Sequence, residues 1–368
     1  MEISNLTFIV TDDCNFNCSY CFQKKEKKTI NNTSIETVVD FFYPYLKSDN
    51  DDKIYINFYG GEPLLAYEKI KHATLLLQDK NKAGNKKIEF VITTNGSLLT
   101  DETLDFFNHH KFVIMLSFDG LTQDKGRKKG TLDPMIQVMK QIQGYPQINL
   151  EINSVFSPQT VSDLSESMRF IIELNGSEIT FNLSTMEEWS SSDLETLKEE
   201  LERLADFLVL FYKITGTIPV KNFQVTREKK ERNKSLFHCS AGRHQMAVTP
   251  EGKLWGCFLF HDYFKTREKD PQYQDYYFGT LTDFIANHET RYPEVLVNYS
   301  ELRQDFFRVG GKKTNFCFLC EDLEGCMVCP INAGYSSGSL GKISCQQCKL
   351  MKIQRNAHRT FRQKLQEF

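Results

Sequence analysis

The sequence predicts an α/β fold with a parallel sheet, followed by a cysteine-rich extension. Two observations carry the first part: six apolar or β-branched runs of strand length recur in the first half of the 368 residues, and segments of helical periodicity separate them. A third carries the extension: eight of the eleven cysteines lie in the last 130 residues, at short spacings.

Taken in order, the strands are residues 6–10, 54–58, 88–94, 112–118, 148–156 and 179–183. The first helix starts at Thr33, where Glu36 three residues on offers a capping box. Further helices cover 66–80, 101–110, 133–143 and 161–174. Such alternation implies right-handed βαβ units. Six strands in about 185 residues fall short of a closed eight-stranded barrel, which needs roughly 250. In open and closed parallel sheets alike, ligands gather at the carboxyl ends of the strands. Residues 191–215 read as one or two amphipathic helices on the flank. The charged stretch 225–234, with Arg227, Lys229, Lys230 and Arg232, reads as a surface loop. Residues 246–249 and 254–257 flank a Pro-x-Gly turn and form a hairpin that brings Cys239 and Cys257 together. The basic tail 349–364 reads as a capping helix rather than a nucleic-acid arm.

Composition narrows the class. Forty per cent hydrophobic residues suffice for a core, and a net charge of −3 offers no global basic field for nucleic acid. The start, Met-Glu-Ile-Ser-Asn, has no signal-peptide pattern, and no apolar run reaches the ~18 residues of a membrane span. Eleven cysteines cannot all pair. Their clustering suits metal binding in a reducing cytoplasm, which is the expected location.

Cys14, Cys18 and Cys21 form a Cys-x3-Cys-x2-Cys run just past the first strand. Three thiolates on one loop can hold three corners of an iron–sulfur cube and leave the fourth iron open, as a catalytic site requires. A small zinc site or buried thiols are the plainer alternatives. The run, with Tyr20 before its third cysteine, resembles the radical SAM enzymes, which implies a partial (β/α)6 barrel. It also implies a [4Fe–4S] cluster whose free iron binds S-adenosylmethionine (SAM), and reductive cleavage to a 5′-deoxyadenosyl radical. On this resemblance Tyr59-Gly60-Gly61-Glu62-Pro63 looks like the motif that holds the amino group of SAM. Further SAM contacts fall to Phe22, to Asn95 after the third strand, and to Ser117 and Asp119, placed two residues apart on one face of the fourth. Asn153, with Ser154, and Leu183 are candidates set against ordinary sheet packing. Arg127 reads as a solvated loop arginine.

The C-terminal pattern of Gly252 to Cys257, then Cys317, Cys320, Cys326 and Cys329, then Cys345 and Cys348, resembles the SPASM extension of radical SAM enzymes. Two auxiliary [4Fe–4S] clusters are implied. Cys317, Cys320, Cys326 and one of Cys345 or Cys348 would hold the outer one, and Cys239, Cys257 and Cys329 the inner one. Two features depart from the pattern: the gap from Cys326 to Cys329 is x2 rather than x3, and no cysteine follows Cys239 within a few residues. The inner cluster is then completed by the spare cysteine or keeps an open iron. Two Cys-x2-Cys pairs also suit zinc. The resemblance divides the chain into a barrel at 1–185, a bridging helix and linker at 186–235, and a SPASM domain with its C-terminal helix at 236–368.

Enzymes of this type act on peptides or proteins, forming thioether or carbon–carbon crosslinks in ribosomal peptides or converting a sulfatase Cys or Ser to formylglycine. The sulfatase branch carries Asp after the Gly-x4-Cys cysteine and Tyr two residues past the third N-terminal cysteine. Here Phe258 and Gln23 stand there, which favours a peptide maturase over formylglycine formation. The expected partners are a peptide or protein substrate and a flavodoxin- or ferredoxin-type electron donor; leader recognition falls to a separate leader-peptide-binding protein or to the barrel itself, since the first strand begins too early for an N-terminal leader-binding domain. No membrane or nucleic-acid partner is expected. The general base is not assignable from sequence: His261, Asp262 and Glu321 lie near cysteines, each reading as a surface or supporting residue. A non-catalytic iron–sulfur or zinc interaction protein is the alternative from another class.

Overall fold

The computed structural model describes residues 1–48, 53–174, 176, 178–224, 239–305, 320–322, 328–340 and 343–367. Cys317, Cys326 and the charged stretch 225–234 lie outside the described residues.

Six parallel strands form the barrel wall: β1 (Asn5–Thr11), β2 (Ile54–Gly60), β3 (Ile88–Thr94), β4 (Val113–Ser117), β5 (Asn149–Phe156) and β6 (Ile179–Leu183). They follow the expected runs to within two residues at each end. Along β2 burial alternates strictly: Ile54, Ile56 and Phe58 are buried, while Tyr55, Asn57 and Tyr59 are half-buried. Period-two alternation in a parallel strand means one face lies under helices and the other faces a partly open interior. On the covered face Phe8, Phe58 and Phe90 stack across three strands at centroid separations of 5.9 and 6.4 Å. Helices Asn32–Phe42, Tyr67–Gly84, Asp101–His109, Leu132–Ile142 and Leu164–Glu173 follow β1 to β5 in turn.

Two local expectations change. The first helix is capped by Asn31, which accepts from the Ser34 amide at 2.7 Å, and Glu36 instead meets His72 at 3.1 Å. Residues 161–163 form a 3₁₀ turn before the α-helix begins at Leu164. The flank is a single helix, Ser191–Thr215, opened by a Ser190/Asp193 capping box and closed by Gly216 at φ 71°.

The sheet does not stop at six strands. Strand β7 (Gln245–Val248) pairs in parallel with β1 from Asn5 to Phe8, on the side away from β2. It turns through Gly252 (φ 73°) into antiparallel β8 (Lys253–Trp255), which pairs with β9 (Tyr277–Thr280). The expected hairpin is therefore present and extends the barrel sheet. No helix among the described residues is long and apolar enough to cross a membrane.

Candidate active site

The loop after β1 carries Cys14, Cys18 and Cys21 at the carboxyl end of the parallel strands, free of disulfides. Its start is tied to the end of β2: Gly61 N donates to Thr11 O at 3.0 Å and Glu62 N to Asp13 O at 2.8 Å. Within the loop, Asp13 N donates to Thr11 Oγ1 and Cys14 N to Asp13 Oδ1, at 3.1 and 2.9 Å. The three thiols interact electrostatically with one another, and burial pushes the Cys18 thiol up to about 11.

Several residues assigned to SAM turn out to brace this loop. Glu62 is fully buried and accepts from Thr94 Oγ1 (2.6 Å), Asn95 N (2.8 Å) and Leu64 N (3.1 Å), so its carboxylate joins the ends of β2 and β3 and any ligand contact falls to backbone. Burial pushes it up to about 7. Asn95 donates to Asn15 Oδ1 at 2.9 Å, reaching into the cysteine loop. Asp119 is off the strand, with φ −100° and ψ 15°, and does not share a face with Ser117. Its buried carboxylate accepts from Tyr20 Oη (2.5 Å), Arg127 Nη2 (2.8 Å) and Val155 N (2.9 Å), so it also ties the cysteine loop to the ends of β4 and β5. Arg127 is likewise not solvated: it is buried, pairs with Asp119, and lies 5.5 Å from the Tyr20 ring centroid. Tyr20, the aromatic residue of the motif, thus pins the loop to the β4 end.

The other candidates sit where alternation puts them. Ser117 ends β4 on the open face. Asn153 shares that face and accepts from Asn182 Nδ2 at 2.7 Å, while Ser154 points the other way and donates to Phe118 O at 2.7 Å. Leu183 ends β6, half-buried against the core. Phe22 packs on Tyr335, at 5.5 Å between centroids, from the helix Pro330–Ser337 of the C-terminal half.

That half presses on the loop through a short helix, Phe258–Phe264, whose N-cap is Cys257. Sequence periodicity gives no sign of it, because seven residues hold under two turns. Its His261 and Lys265, just past its end, meet the buried Asp12 at 3.3 and 2.7 Å. Burial pushes Asp12 up, yet these two partners hold it below the usual carboxylate range. Asp262 is also buried, not a surface group, and accepts from Gln23 Nε2 at 3.3 Å; Gln23 also donates to Tyr59 Oη at 3.0 Å. Phe258 lies on Tyr59 at 4.1 Å. Cys257 and Cys329 are electrostatic neighbours of Cys239. Cys345 and Cys348 stand exposed on the first turn of the helix Cys345–Gln366. The segment holding Cys320 is fastened to that helix by Asp322, which meets Arg355 at 3.1 Å and also Arg359; Glu321 is exposed.

The donor set of the β1 loop, three thiols on one short segment, suits an iron–sulfur cluster held by thiolates. Among the described residues neither cysteine group brings three ligand atoms within 4.8 Å of one another. The one set that does, Asp12, Glu26 and Glu251, is already neutralised: Lys265 is on Asp12, and Lys28 meets Glu26 and Glu251 at 2.7 and 2.6 Å.

Residues 8–171 match the family model of the radical SAM superfamily. The radical SAM cyclopropyl synthase TigE of Paramaledivibacter caminithermalis is 24% identical over 290 residues, 72% of this chain and 59% of that one. The cysteine-type anaerobic sulfatase-maturating enzyme of Clostridium perfringens is 30% identical over 111 residues, 29% of this chain and 30% of that one. This chain therefore spans less than two thirds of the length of either. Among solved structures, native anSMEcpe with bound AdoMet and Cp18Cys peptide superposes with a TM-score of 0.74 over 100% of both chains at 18% identity. Streptococcus suis SuiB bound to precursor peptide SuiA does so at 0.58, over 94% of this chain and 76% of SuiB, at 15% identity. At these identities the structural likenesses speak for the fold.

Proposed function

We propose that this chain, a radical SAM enzyme with its matched domain over residues 8–171, matures a ribosomally made peptide by forming a thioether or carbon–carbon crosslink. The observation that carries the reading is the placement of two cysteine groups on either side of one short helix. Cys14, Cys18 and Cys21 lie on the loop that this helix clamps, and Cys257 caps its start beside Cys239 and Cys329. When bound, the [4Fe–4S] cluster supplies the electron that splits the SAM sulfonium and so a hydrogen-abstracting radical. In this reading Cys14, Cys18 and Cys21 hold that cluster, while Cys239, Cys257 and Cys329 hold an inner auxiliary cluster. Cys320, with Cys317, Cys326 and one of Cys345 or Cys348, holds an outer one. Phe22, the backbone of Gly60, Gly61 and Glu62, Asn95, Ser117, Asp119, Asn153 and Leu183 line the SAM site.

The open face of the sheet favours a peptide substrate. Tyr55, Asn57, Thr93, Ser117 and Asn153 are neutral and polar, and Lys221 nearby is already paired with Glu151 and Glu178 at 3.0 and 3.2 Å. A polyanionic substrate finds no free cation among these groups. The TigE and SuiB likenesses support the same class. Phe258, packed on Tyr59, stands where the sulfatase-maturing branch keeps its base, which favours crosslinking over formylglycine formation. Functionally we divide the chain at 185 and 235, with a flavodoxin- or ferredoxin-type donor and a separate leader-binding protein as partners.

Anaerobically reconstituted protein with dithionite and SAM is expected to release 5′-deoxyadenosine, and Cys14→Ala is expected to abolish this while keeping the remaining iron. With a candidate precursor from a neighbouring short reading frame, each crosslink lowers the peptide mass by about 2 Da, since two hydrogens leave. Intact peptide in the presence of active SAM cleavage by every candidate would sink the maturase reading, and an aldehyde product would replace it with the formylglycine one.

A further inference from the structure

We propose that Asp262 is the proton acceptor of the crosslinking step, an inference that rests on the maturase reading above. Among the buried carboxylates at this end of the sheet, Asp12, Glu62 and Asp119 are each held by two or three hydrogen bonds or ion pairs. Asp262 is not: among the described residues its one hydrogen bond is the 3.3 Å contact from Gln23. Its place is between the two cysteine groups. Gln23 lies two residues past Cys21 and also holds Tyr59, which faces the open interior at the end of β2; Asp262 itself lies five residues past Cys257. The Gln23 amide is thus the group that joins the Asp262 carboxylate to the Tyr59 hydroxyl at the end of β2.

The charged and titratable groups around it are His261 and Lys265 from its own helical segment, Asp12 from the β1 loop, and Tyr59, Tyr335 and Cys257. His261 and Lys265 contact Asp12 and also draw the Asp262 carboxyl down, against its burial. Burial pushes its carboxyl up to about 6. A base is most effective when its pKa lies near the working pH, and this one is ionised at neutral pH yet basic enough to keep a proton.

The chemistry needs such a group. Closing a thioether between a peptide thiol and a carbon removes two hydrogens from the substrate. One leaves the carbon as a hydrogen atom and ends in 5′-deoxyadenosine. The other leaves the thiol as a proton as the sulfur–carbon bond forms, and one surplus electron passes to a one-electron acceptor, an oxidised iron–sulfur cluster. Asp262 takes the proton. A carbon–carbon crosslink has the same balance, with the second proton leaving carbon or its attached group.

The test uses holoenzyme of the wild type, Asp262→Asn and Asp262→Glu, with dithionite, SAM and the neighbouring-frame peptide that shows the mass loss. Asp262→Asn is expected to release 5′-deoxyadenosine within about twofold of wild type while crosslinked product falls about a hundredfold or more. Asp262→Glu recovers part of the product. In the wild type the ratio of product to 5′-deoxyadenosine drops as pH falls through about 6. Infrared difference titration, without peptide, should show a carboxyl that protonates near that pH and is missing from Asp262→Asn. A wild-type product ratio in Asp262→Asn, or a carboxyl that stays ionised well below pH 5, overturns the proposal. A wild type that cleaves SAM but leaves every candidate peptide intact is a different pattern: it overturns the maturase reading and this proposal with it.

Discussion

At Gly60 and Gly61 a single methyl group would collide with the cysteine loop. A Cβ at Gly60 would lie 2.0 Å from Thr11 O, and one at Gly61 would lie 2.2 Å from Asp13 O and 2.9 Å from Cys14 Cβ. The pair is glycine because two backbones touch there, in addition to any ligand its carbonyls receive. Gly61→Ala should displace the loop and cost about one cluster's iron, measured by iron analysis after reconstitution. Gly130→Ala, with nothing within 4 Å of its Cβ, should keep it despite its φ of 78°. Asp262 offers a second prediction at this scale. Its folded pKa, about 6, lies above the ordinary 3.8, so the folded state holds a proton that the unfolded chain releases. Stability is full below the unfolded value, falls as pH rises toward 6, and stays lower by up to about 3 kcal/mol above it. Asp262→Asn keeps an acceptor for Gln23 and loses that penalty. Urea melts should show it more stable than wild type at pH 8 and little changed at pH 4.

At the scale of elements, the cysteine loop is held from two sides. Tyr20, Asp119 and Arg127 fix it to the ends of β4 and β5, and the Phe258–Phe264 helix fixes it from the C-terminal half through Asp12 and Gln23. Arg127→Leu leaves Asp119 buried and uncompensated, a change expected to cost about 3–5 kcal/mol. Combining it with Asp119→Asn should recover much of that loss in chemical denaturation. Lys265→Met releases one contact of the opposite clamp and the bond from Lys265 Nζ to Lys24 O, so amides of residues 12–28 should exchange faster while those of β2 to β5 do not change. Much of the barrel was legible at this scale. Residues 88–94 and 179–183 form strands with the expected ends because β-branched and apolar residues fill them. The clamp helix was not legible, since a seven-residue helix is fixed by what it packs against.

For the molecule as a whole, one sheet runs from β6 through β1 to β9, so the cysteine-rich half completes the barrel sheet rather than trailing from it. Removing everything after Gln224 would bare the β1 edge from Asn5 to Phe8, now paired with β7. A 1–224 fragment is therefore expected to aggregate, seen by light scattering, where the full chain stays monodisperse. By itself the sequence determined the alternating α/β order, the three-cysteine loop at the end of β1, and the gathering of cysteines in the last third. These depend on local periodicity and on spacings along one loop, which need no partner to be read. Only the tertiary structure decided that Glu62, Asp119 and Arg127 brace the loop, that β7 joins β1, and that Asp262 lies between Cys21 and Cys257. Whether a carboxylate is consumed by neighbours or left with one weak contact depends on donors far away in the chain, such as Tyr20 for Asp119 and Gln23 for Asp262, and no spacing along the sequence encodes that.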